Sequence, residues 1–257
     1  MSRYGAMFDR LGERGEGAFG AFVMLGDPAA GPSILDALVE GGADMLEVGI
    51  PFSDPVADGP VIQAAAVRAL AAGTRTADCF RLLGAFRARH PHVPVGILTY
   101  ANLVMARGRE AFYDASAEAG VDSVLVADVP LIEADPFLAA ARSAGVDPVL
   151  IAAPNTPPER LARIAIEGSG YTYCVARAGV TGADVKVRFA GDVIEALKRA
   201  GAPPPVLGFG ISAPEHVRLA LAAGAAGVIS GSAIVERVAR GEDVRSFVAE
   251  LKAATLS

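Results

Sequence analysis

The feature that most constrains the fold is a regular alternation along the chain between short apolar runs and longer segments with helical periodicity. Several of the longer segments end on Ala-Gly, as in EAGVD (118–122) and SAGVD (143–147). A glycine at such a point adopts the left-handed conformation that ends a helix and turns the chain into the next strand. The pattern therefore predicts parallel strands joined by helical crossovers.

The number of predicted strands and the chain length decide between two architectures. Strands are predicted at about residues 19–25, 44–48, 93–99, 123–127, 148–151, 171–175, 205–208 and 227–229. A chain of 257 residues suits a (β/α)8 barrel, which typically needs about 250 residues. We therefore expect a single-domain α/β fold over residues 1–257, a (β/α)8 TIM barrel. Extra short helices are expected at the N terminus, after strand 2 and after strand 8. A doubly wound open sheet is the alternative.

Composition and charge exclude several classes of function. The formal net charge is −6, and no run of Lys or Arg forms a basic stripe, which argues against a nucleic-acid partner. No stretch approaches the roughly 18 apolar residues of a membrane-spanning helix, and the first residues lack the pattern of a signal peptide. Cys79 and Cys174 are far apart and in no metal-ligand spacing. We therefore expect a cytoplasmic protein without membrane association, disulfide framework or metal site.

A carboxylate lies inside the second predicted strand, although inward positions in barrels are mostly aliphatic. The two-residue period of a strand places Glu47 on the same face as Met45, whereas Leu46 and Val48 share the other face and suit packing against helices. Glu47 should therefore point into the barrel. A buried carboxylate without a partner has a raised pKa and can donate and accept a proton near neutral pH. A Glu held in a salt bridge within the barrel is the alternative.

The loop after this strand, PFSDPVADGP (51–60), carries a second candidate carboxylate. Prolines stiffen the loop, and Asp58 lies directly before a predicted helix. That position fits an active-site carboxylate and the N-cap of the helix equally well. Asp54, between prolines, is predicted to form a turn.

Glycines follow the last two predicted strands, in GFGIS (208–212) and SGSAIV (230–235). Glycines let backbone N–H groups approach an anion, and the N terminus of a short helix adds partial positive charge. Because phosphate sites after strands seven and eight recur in barrel enzymes, these segments predict a phosphate-binding site, with plain turns as the alternative.

The loop at residues 177–185 is predicted either as a lid that excludes water or as a plain connection.

Several segments together resemble the tryptophan synthase alpha subunit family, in order and at the family's spacing. They are LEVGIPFSDPVADGPVIQ (46–63), LTYANLV (98–104), DSVLVADVP (122–130), ARAGVTG (176–182), GFGISAPE (208–215) and GVISGSAIV (227–235). The resemblance implies a lyase of tryptophan biosynthesis that splits indole-3-glycerol phosphate into indole and glyceraldehyde 3-phosphate by retro-aldol cleavage. It implies no cofactor in this chain. Indole would pass to a beta subunit, which carries pyridoxal phosphate, in an α2β2 heterotetramer.

The resemblance also implies roles for individual residues. Glu47 matches the family's general acid/base, and Asp58 matches the carboxylate that accepts a hydrogen bond from the indole N–H. The substrate-binding positions are matched by Phe22, Leu98, Tyr100, Leu125, Ile151, Tyr173 and Thr181. The phosphate-binding positions are matched by Gly182, Gly210, Gly231 and Ser232. The loop that faces the beta subunit is matched by Pro51, Phe52 and Asp54.

Three alternative functions stay open at this point. One is a free-standing lyase that releases indole as its own product, and another is a different phosphate-binding barrel enzyme such as a sugar-phosphate isomerase. The third is an inactive subunit kept as an allosteric scaffold, which the presence of both Glu47 and Asp58 disfavours.

Overall fold

The computed structural model describes residues 2–175, 191–208 and 210–256, and its strands form one parallel sheet. The strands are β1 Ala18–Met24, β2 Met45–Gly49, β3 Val95–Thr99, β4 Ser123–Val126, β5 Asp147–Pro148, β6 Leu150–Ala152, β7 Thr172–Cys174, β8 Pro205–Leu207 and β9 Gly227–Ser230. They pair in the order β5-β4-β3-β2-β1-β9-β8-β7-β6. Because β5 and β6 stand at the two ends of this order and only one residue separates them in the chain, the sheet closes into a barrel.

Two short strands, rather than one, fill the fifth position of the barrel. β5 pairs with β4, and β6 pairs with β7. Val149 between them still donates a hydrogen bond to the carbonyl of Val124 at 3.1 Å, so the chain stays in the barrel wall. Pro148 has no N–H to donate towards β7, and the pairing with β7 therefore begins only at Leu150. The eight predicted strands thus correspond to nine observed segments.

Helices connect the strands. They are α1 Arg3–Glu13, α2 Ile34–Glu40, α3 Pro60–Ala71, α4 Thr76–Arg89, α5 Ala101–Ala106, α6 Arg109–Glu118, α7 Asp135–Ser143, α8 Pro158–Glu167, α9 Gly191–Arg199, α10 Pro214–Ala222, α11 Ser232–Ala239 and α12 Val244–Ala253, with a 3-10 turn at Leu131–Glu133. The extra helices expected at the N terminus, after β2 and after the last strand are present as α1, the α3–α4 pair and α11. The sequence did not predict α5, because six residues are too few to show a helical period. Among the described residues, no helix combines the length and hydropathy that crossing a bilayer requires.

The side chains of the strands divide between two apolar layers. Leu46 and Val48 pack outward in the layer shared with the helices. Met45 packs inward, together with Phe22 and Tyr171. The alternation confirms the period-two prediction for β2 and leaves its third residue, Glu47, on the inward face.

Helix α1 closes the end of the barrel where the strands begin. Tyr4, Met7 and Leu11 of this helix are buried in the same cluster as the inward-facing side chains. The Tyr4 hydroxyl lies 2.9 Å from the Ser123 hydroxyl, and its ring centroid lies 5.3 Å from that of Tyr171. The floor of the barrel is therefore a packed layer that contains two tyrosine rings.

Two acidic residues that directly precede strands at this floor, Asp122 and Asp44, are paired with cations. Asp122, directly before β4, accepts hydrogen bonds from Arg3 at 2.8 Å and from Arg87 at 2.6 Å. Asp44, directly before β2, lies 2.9 Å from the ammonium group of Lys252. These pairs link α1, α4 and α12 to the starts of the strands, and they fasten the helical layer to the barrel.

Candidate active site

Glu47 points into the barrel from β2, as its sequence position predicts. Its side chain is almost fully buried, with 3% of its surface exposed. The hydroxyl of Tyr171 donates a hydrogen bond to Glu47 Oε1 at 2.8 Å. In the described part of the chain no cation pairs with Glu47, so the salt-bridge alternative has no support there. The expectation of a carboxylate without any partner was nevertheless wrong, because Tyr171 is a hydrogen-bond donor to it.

The surroundings of Glu47 bring its pKa close to neutrality. The pKa of Glu47 is raised overall from 4.5 to about 7, and burial is the largest cause. The hydrogen bond from Tyr171 opposes the effect of burial by stabilising the charged form, whereas the nearby negative charge of Asp58 acts in the same direction as burial. A carboxyl group with such a pKa is present in both protonation states near pH 7, which suits it to donate and then accept one proton.

Tyr171 could have been recognised in the sequence from strand periodicity. The sequence Tyr171-Thr172-Tyr173 places its two tyrosines on one face of the seventh strand, and both belong to the inner layer. What the sequence did not provide is the contact itself, since 124 positions separate Tyr171 from Glu47.

The carboxylate of Asp58 is not used as a helix cap. The N-cap residue of α3 is Gly59, and no side chain caps this helix. The backbone carbonyl of Asp58 accepts a hydrogen bond from Gln63 at 2.8 Å, while its side chain is hydrogen bonded to Tyr100. The capping alternative for Asp58 is therefore wrong, and the carboxylate remains available at the barrel mouth.

Burial raises the pKa of Asp58 from 3.8 to about 6, against the lowering effect of the hydrogen bond with Tyr100. Tyr100 itself is buried, and its pKa lies above its ordinary value because of burial and the neighbouring Asp58 charge. Its hydroxyl therefore stays protonated and can donate to the carboxylate. The hydroxyl also accepts a hydrogen bond from the Ala57 N–H at 3.3 Å.

The apolar residues proposed to bind substrate surround these carboxylates. Phe22, Leu125 and Tyr173 belong to the inner layer, and Leu98 packs against it. Ile151 is paired in register with Tyr173 on the neighbouring strand and is 37% exposed, so it lies where the inner layer opens to solvent.

The hydroxyl of Tyr173 fixes the segment that follows β8. It donates a hydrogen bond to the carbonyl of Gly208 at 2.9 Å. A Cβ atom at Gly208 would lie 2.0 Å from the Tyr173 ring, so only glycine fits at this position. The tyrosine and the glycine therefore depend on each other for their placement.

The two glycine segments predicted to bind phosphate lie side by side. Ser230, at the end of β9, donates a hydrogen bond to the carbonyl of Ile211 at 2.7 Å, which ties the segment after β8 to the segment after β9. Gly210 has a φ of 76°, a conformation that favours glycine. Gly231 is the N-cap residue of α11, and Ser232 is its first residue. The N–H groups at the start of α11 thus face the same end of the barrel as the carboxylates.

Part of the predicted site lies outside the described residues. Thr181, Gly182 and the remainder of the predicted lid at residues 177–185 belong to this part. The loop predicted to face a partner is described, and its three residues differ in exposure. Asp54 is exposed, Phe52 is half-buried with its ring centroid 5.4 Å from that of Tyr100, and Pro51 is buried.

The geometry combines two carboxylates of different pKa, an apolar lining and the N–H groups of a helix start at one end of a barrel. Such a site suits proton transfer to and from an apolar substrate that carries a phosphate group. Within the described ranges, no group of three or more His, Cys, Asp or Glu side chains could hold a metal ion.

Comparison with known proteins gives one consistent family. The sequence profile of the family described as tryptophan synthase alpha chain matches residues 8–256. The tryptophan synthase alpha chain of Shewanella amazonensis is 54% identical over 99% of this chain and 100% of its own length. That of Aeromonas hydrophila is 53% identical over 99% of both chains.

Solved structures agree with these relatives. A structure from Aquifex aeolicus superimposes with a TM-score of 0.91 and 33% identity over the full length of both chains. Tryptophan synthase from Mycobacterium tuberculosis gives a TM-score of 0.90 and 31% identity, over 100% of this chain and 99% of the other. The tryptophan synthase complex from Pyrococcus furiosus gives a TM-score of 0.82 and 36% identity, over 92% of this chain and 98% of the other.

Proposed function

Because this chain belongs to the tryptophan synthase alpha chain family and is therefore a lyase of tryptophan biosynthesis, we propose that Glu47 and Asp58 have separate roles in the cleavage of indole-3-glycerol phosphate. Glu47 moves the proton, and Asp58 supplies the negative charge that stabilises the intermediate. The products are indole and glyceraldehyde 3-phosphate. The alpha chain uses no cofactor, and pyridoxal phosphate belongs to the beta subunit.

The reaction needs one proton to be given and one to be taken. Protonated Glu47 donates its proton to C3 of the indole ring, and the ring becomes a cationic indolenine. Asp58 accepts a hydrogen bond from the indole N–H and offsets the positive charge. The Glu47 carboxylate then removes the proton of the side-chain hydroxyl group as the carbon–carbon bond breaks and its electrons return to the ring. Glu47 is protonated again at the end, so a single residue can serve both steps.

One observation carries this proposal: a buried Glu47 whose pKa is raised to about 7 and whose hydrogen-bond donor is a neutral tyrosine. A carboxylate paired with Arg or Lys would stay ionised at pH 7 and could not begin the reaction as an acid. The Asp58 pKa of about 6 is the lower of the two. Near pH 6.5, therefore, the form with Glu47 protonated and Asp58 ionised is favoured, and this is the form that the mechanism requires.

The remaining positions of the site bind and enclose the substrate in this proposal. The indole ring lies among the apolar side chains of the inner layer, and Tyr100 and Tyr173 complete the pocket. The phosphate group is bound by backbone N–H groups at Gly210 and Gly231 and by Ser232 at the start of α11. Thr181 and Gly182, which lie outside the described residues, keep their predicted roles in closing the site and binding phosphate.

The partner follows from the family, whose known structures include a tryptophan synthase complex. We propose that a beta subunit binds at the loop around Asp54 and Phe52 in an α2β2 heterotetramer. Pro51 is buried in the described chain and would support this loop from behind rather than contact the partner. A cytoplasmic location and the behaviour of residues 1–257 as one domain belong to the same proposal.

The test is to add indole-3-glycerol phosphate to the purified full chain and to follow indole release, alone and with a beta subunit. We expect slow turnover alone and faster turnover with the partner. The Glu47→Gln variant, which keeps the size of the side chain and loses the carboxyl group that can donate and accept a proton, is the matched control. Rapid turnover that the beta subunit does not change would favour the free-standing lyase. Absence of indole under both conditions would reject the proposal.

A further inference from the structure

Asp128 lies two residues beyond the end of β4, next to the end of β3. Its carboxylate accepts a hydrogen bond from the backbone N–H of Ala101 at 2.7 Å. Ala101 is the first residue of α5, and the side chain of its N-cap residue, Tyr100, makes no capping hydrogen bond. Asp128 thus supplies, from a neighbouring strand end, the acceptor that the start of this helix lacks.

Tyr100 is the residue through which α5 touches the loop that carries Asp58. Its ring packs against Phe52, and its hydroxyl accepts a hydrogen bond from the Ala57 N–H and is bonded to the Asp58 side chain. The backbone of Tyr100 is extended, with φ −121° and ψ 150°. The next residue, Ala101, carries the N–H group that donates to Asp128. The position of the Tyr100 hydroxyl therefore depends on where α5 begins.

We propose that Asp128 is a positioning residue for Asp58: it fixes the start of α5, and thereby the Tyr100 hydroxyl that orients the Asp58 carboxylate. The inference rests on the proposed function of Asp58. Asp128 itself touches no reacting group. It acts on Tyr100 in two ways, through the backbone hydrogen bond that fixes the start of α5 and through its charge, which raises the pKa of Tyr100.

The electrostatic surroundings of Asp58 supply a readout that loss of fold stability alone would not change. Within the part of the chain that the structure describes, the titratable groups that interact with the Asp58 carboxylate are Tyr100 from the start of α5, Glu47 from β2 and Tyr173 from β7. The hydrogen bond from Tyr100 lowers the pKa of Asp58. If the Tyr100 hydroxyl moves away from the Asp58 carboxylate, the pKa of Asp58 rises. The acidic limb of the profile, where kcat/KM falls as the pH is lowered, then moves to higher pH.

The experiment measures kcat/KM against pH for the full chain with indole-3-glycerol phosphate. We expect Asp128→Ala to lower kcat/KM by about tenfold, since displacing a reacting group by a fraction of an ångström has effects of this order, and to move the acidic limb to higher pH. Asp128→Asn should recover most of the loss, because its amide oxygen still accepts from the Ala101 N–H. Tyr100→Phe should move the limb in the same direction, and Asp128→Ala added to it should change little more.

A remote helix cap provides the matched control. Asp243 accepts a hydrogen bond from the Arg245 N–H at 3.0 Å and caps α12 on the outside of the barrel. Asp243→Ala should lower stability and leave the acidic limb in place. An unshifted limb in Asp128→Ala, or an equal shift in Asp243→Ala, would overturn the inference. Wild-type turnover in Asp58→Asn would instead reject the proposed function itself, whatever Asp128→Ala shows.

Discussion

Two carboxylates at the floor of the barrel, Asp122 and Asp44, have different partners from two at its mouth, Glu47 and Asp58. At the floor, Asp122 is bonded to two guanidinium groups and Asp44 to an ammonium group. At the mouth, Glu47 and Asp58 are hydrogen bonded to the hydroxyl groups of tyrosines. The same type of side chain thus meets cations where the helices are fastened and neutral donors where the chemistry is proposed.

This difference separates stability from reactivity. A cation holds a buried carboxylate in its charged form, and the pair links two elements of the fold. A tyrosine hydroxyl satisfies a carboxylate without fixing its charge, so burial can raise the pKa towards neutrality. Substitutions at the two ends should therefore affect different measurements.

The largest effect is expected at Glu47. Glu47→Gln should lower kcat by about 10²- to 10⁴-fold, the range usual for loss of a general acid/base, while substrate binding is largely kept. Single-turnover measurement of indole release, together with equilibrium binding of the substrate, separates the two effects. Near-normal turnover would show that the reaction does not use the proton of Glu47. It would also contradict the assignment of reactivity to the carboxylates at the mouth.

At the floor, Asp122→Asn should destabilise the fold without changing the chemistry. The substitution leaves the largely buried Arg87 without its counter-charge, and removal of one partner from a buried pair costs about 3 kcal/mol. Arg3 is 40% exposed and should contribute little. Denaturant unfolding measures the loss, and kcat of the folded protein should stay at the wild-type value. A fall in kcat comparable to that of Glu47→Gln would erase the distinction between the two regions.

The pH profile tests the two mouth carboxylates together. The mechanism requires Asp58 ionised and Glu47 protonated, so kcat/KM should fall below the Asp58 pKa of about 6 and again above the Glu47 pKa of about 7. Asp58→Asn should lower activity by about 10²-fold, because an amide carries no charge to offset the indolenine, and should remove the acidic limb. A profile without either limb between pH 5 and 9 would contradict both assignments.

The smallest effect is expected at Tyr171. Its hydrogen bond lowers the pKa of Glu47, so Tyr171→Phe should raise this pKa and move the alkaline limb to higher pH. At pH 6.5, where wild-type Glu47 is already mostly protonated, kcat should change only a few-fold. An alkaline limb that moves to lower pH in this variant would show that the hydroxyl does not stabilise the charged form.

Strand periodicity was sufficient to predict the direction of Glu47, because Leu46 and Val48 define the outer face. The role of Asp58 could not be decided from sequence, because a cap and a reactive carboxylate share the position before a helix. The hydroxyl of Tyr100, supplied by another strand end, decides it. The break in the fifth strand depends on a missing N–H at Pro148, which matters only once β7 lies beside it. What the sequence lacks in each case is a contact between distant segments.

The N-terminal helix that closes the floor also has a consequence for the opposite end of the barrel. Tyr4 packs against Tyr171, and Tyr171 bonds Glu47, so the first turn of α1 is two side chains away from the proposed acid/base. Removing these first residues, or joining a bulky fusion tag directly to them, would loosen the support beneath Glu47. Preparations of the enzyme with altered N termini would then differ in reactivity although every residue at the mouth is intact.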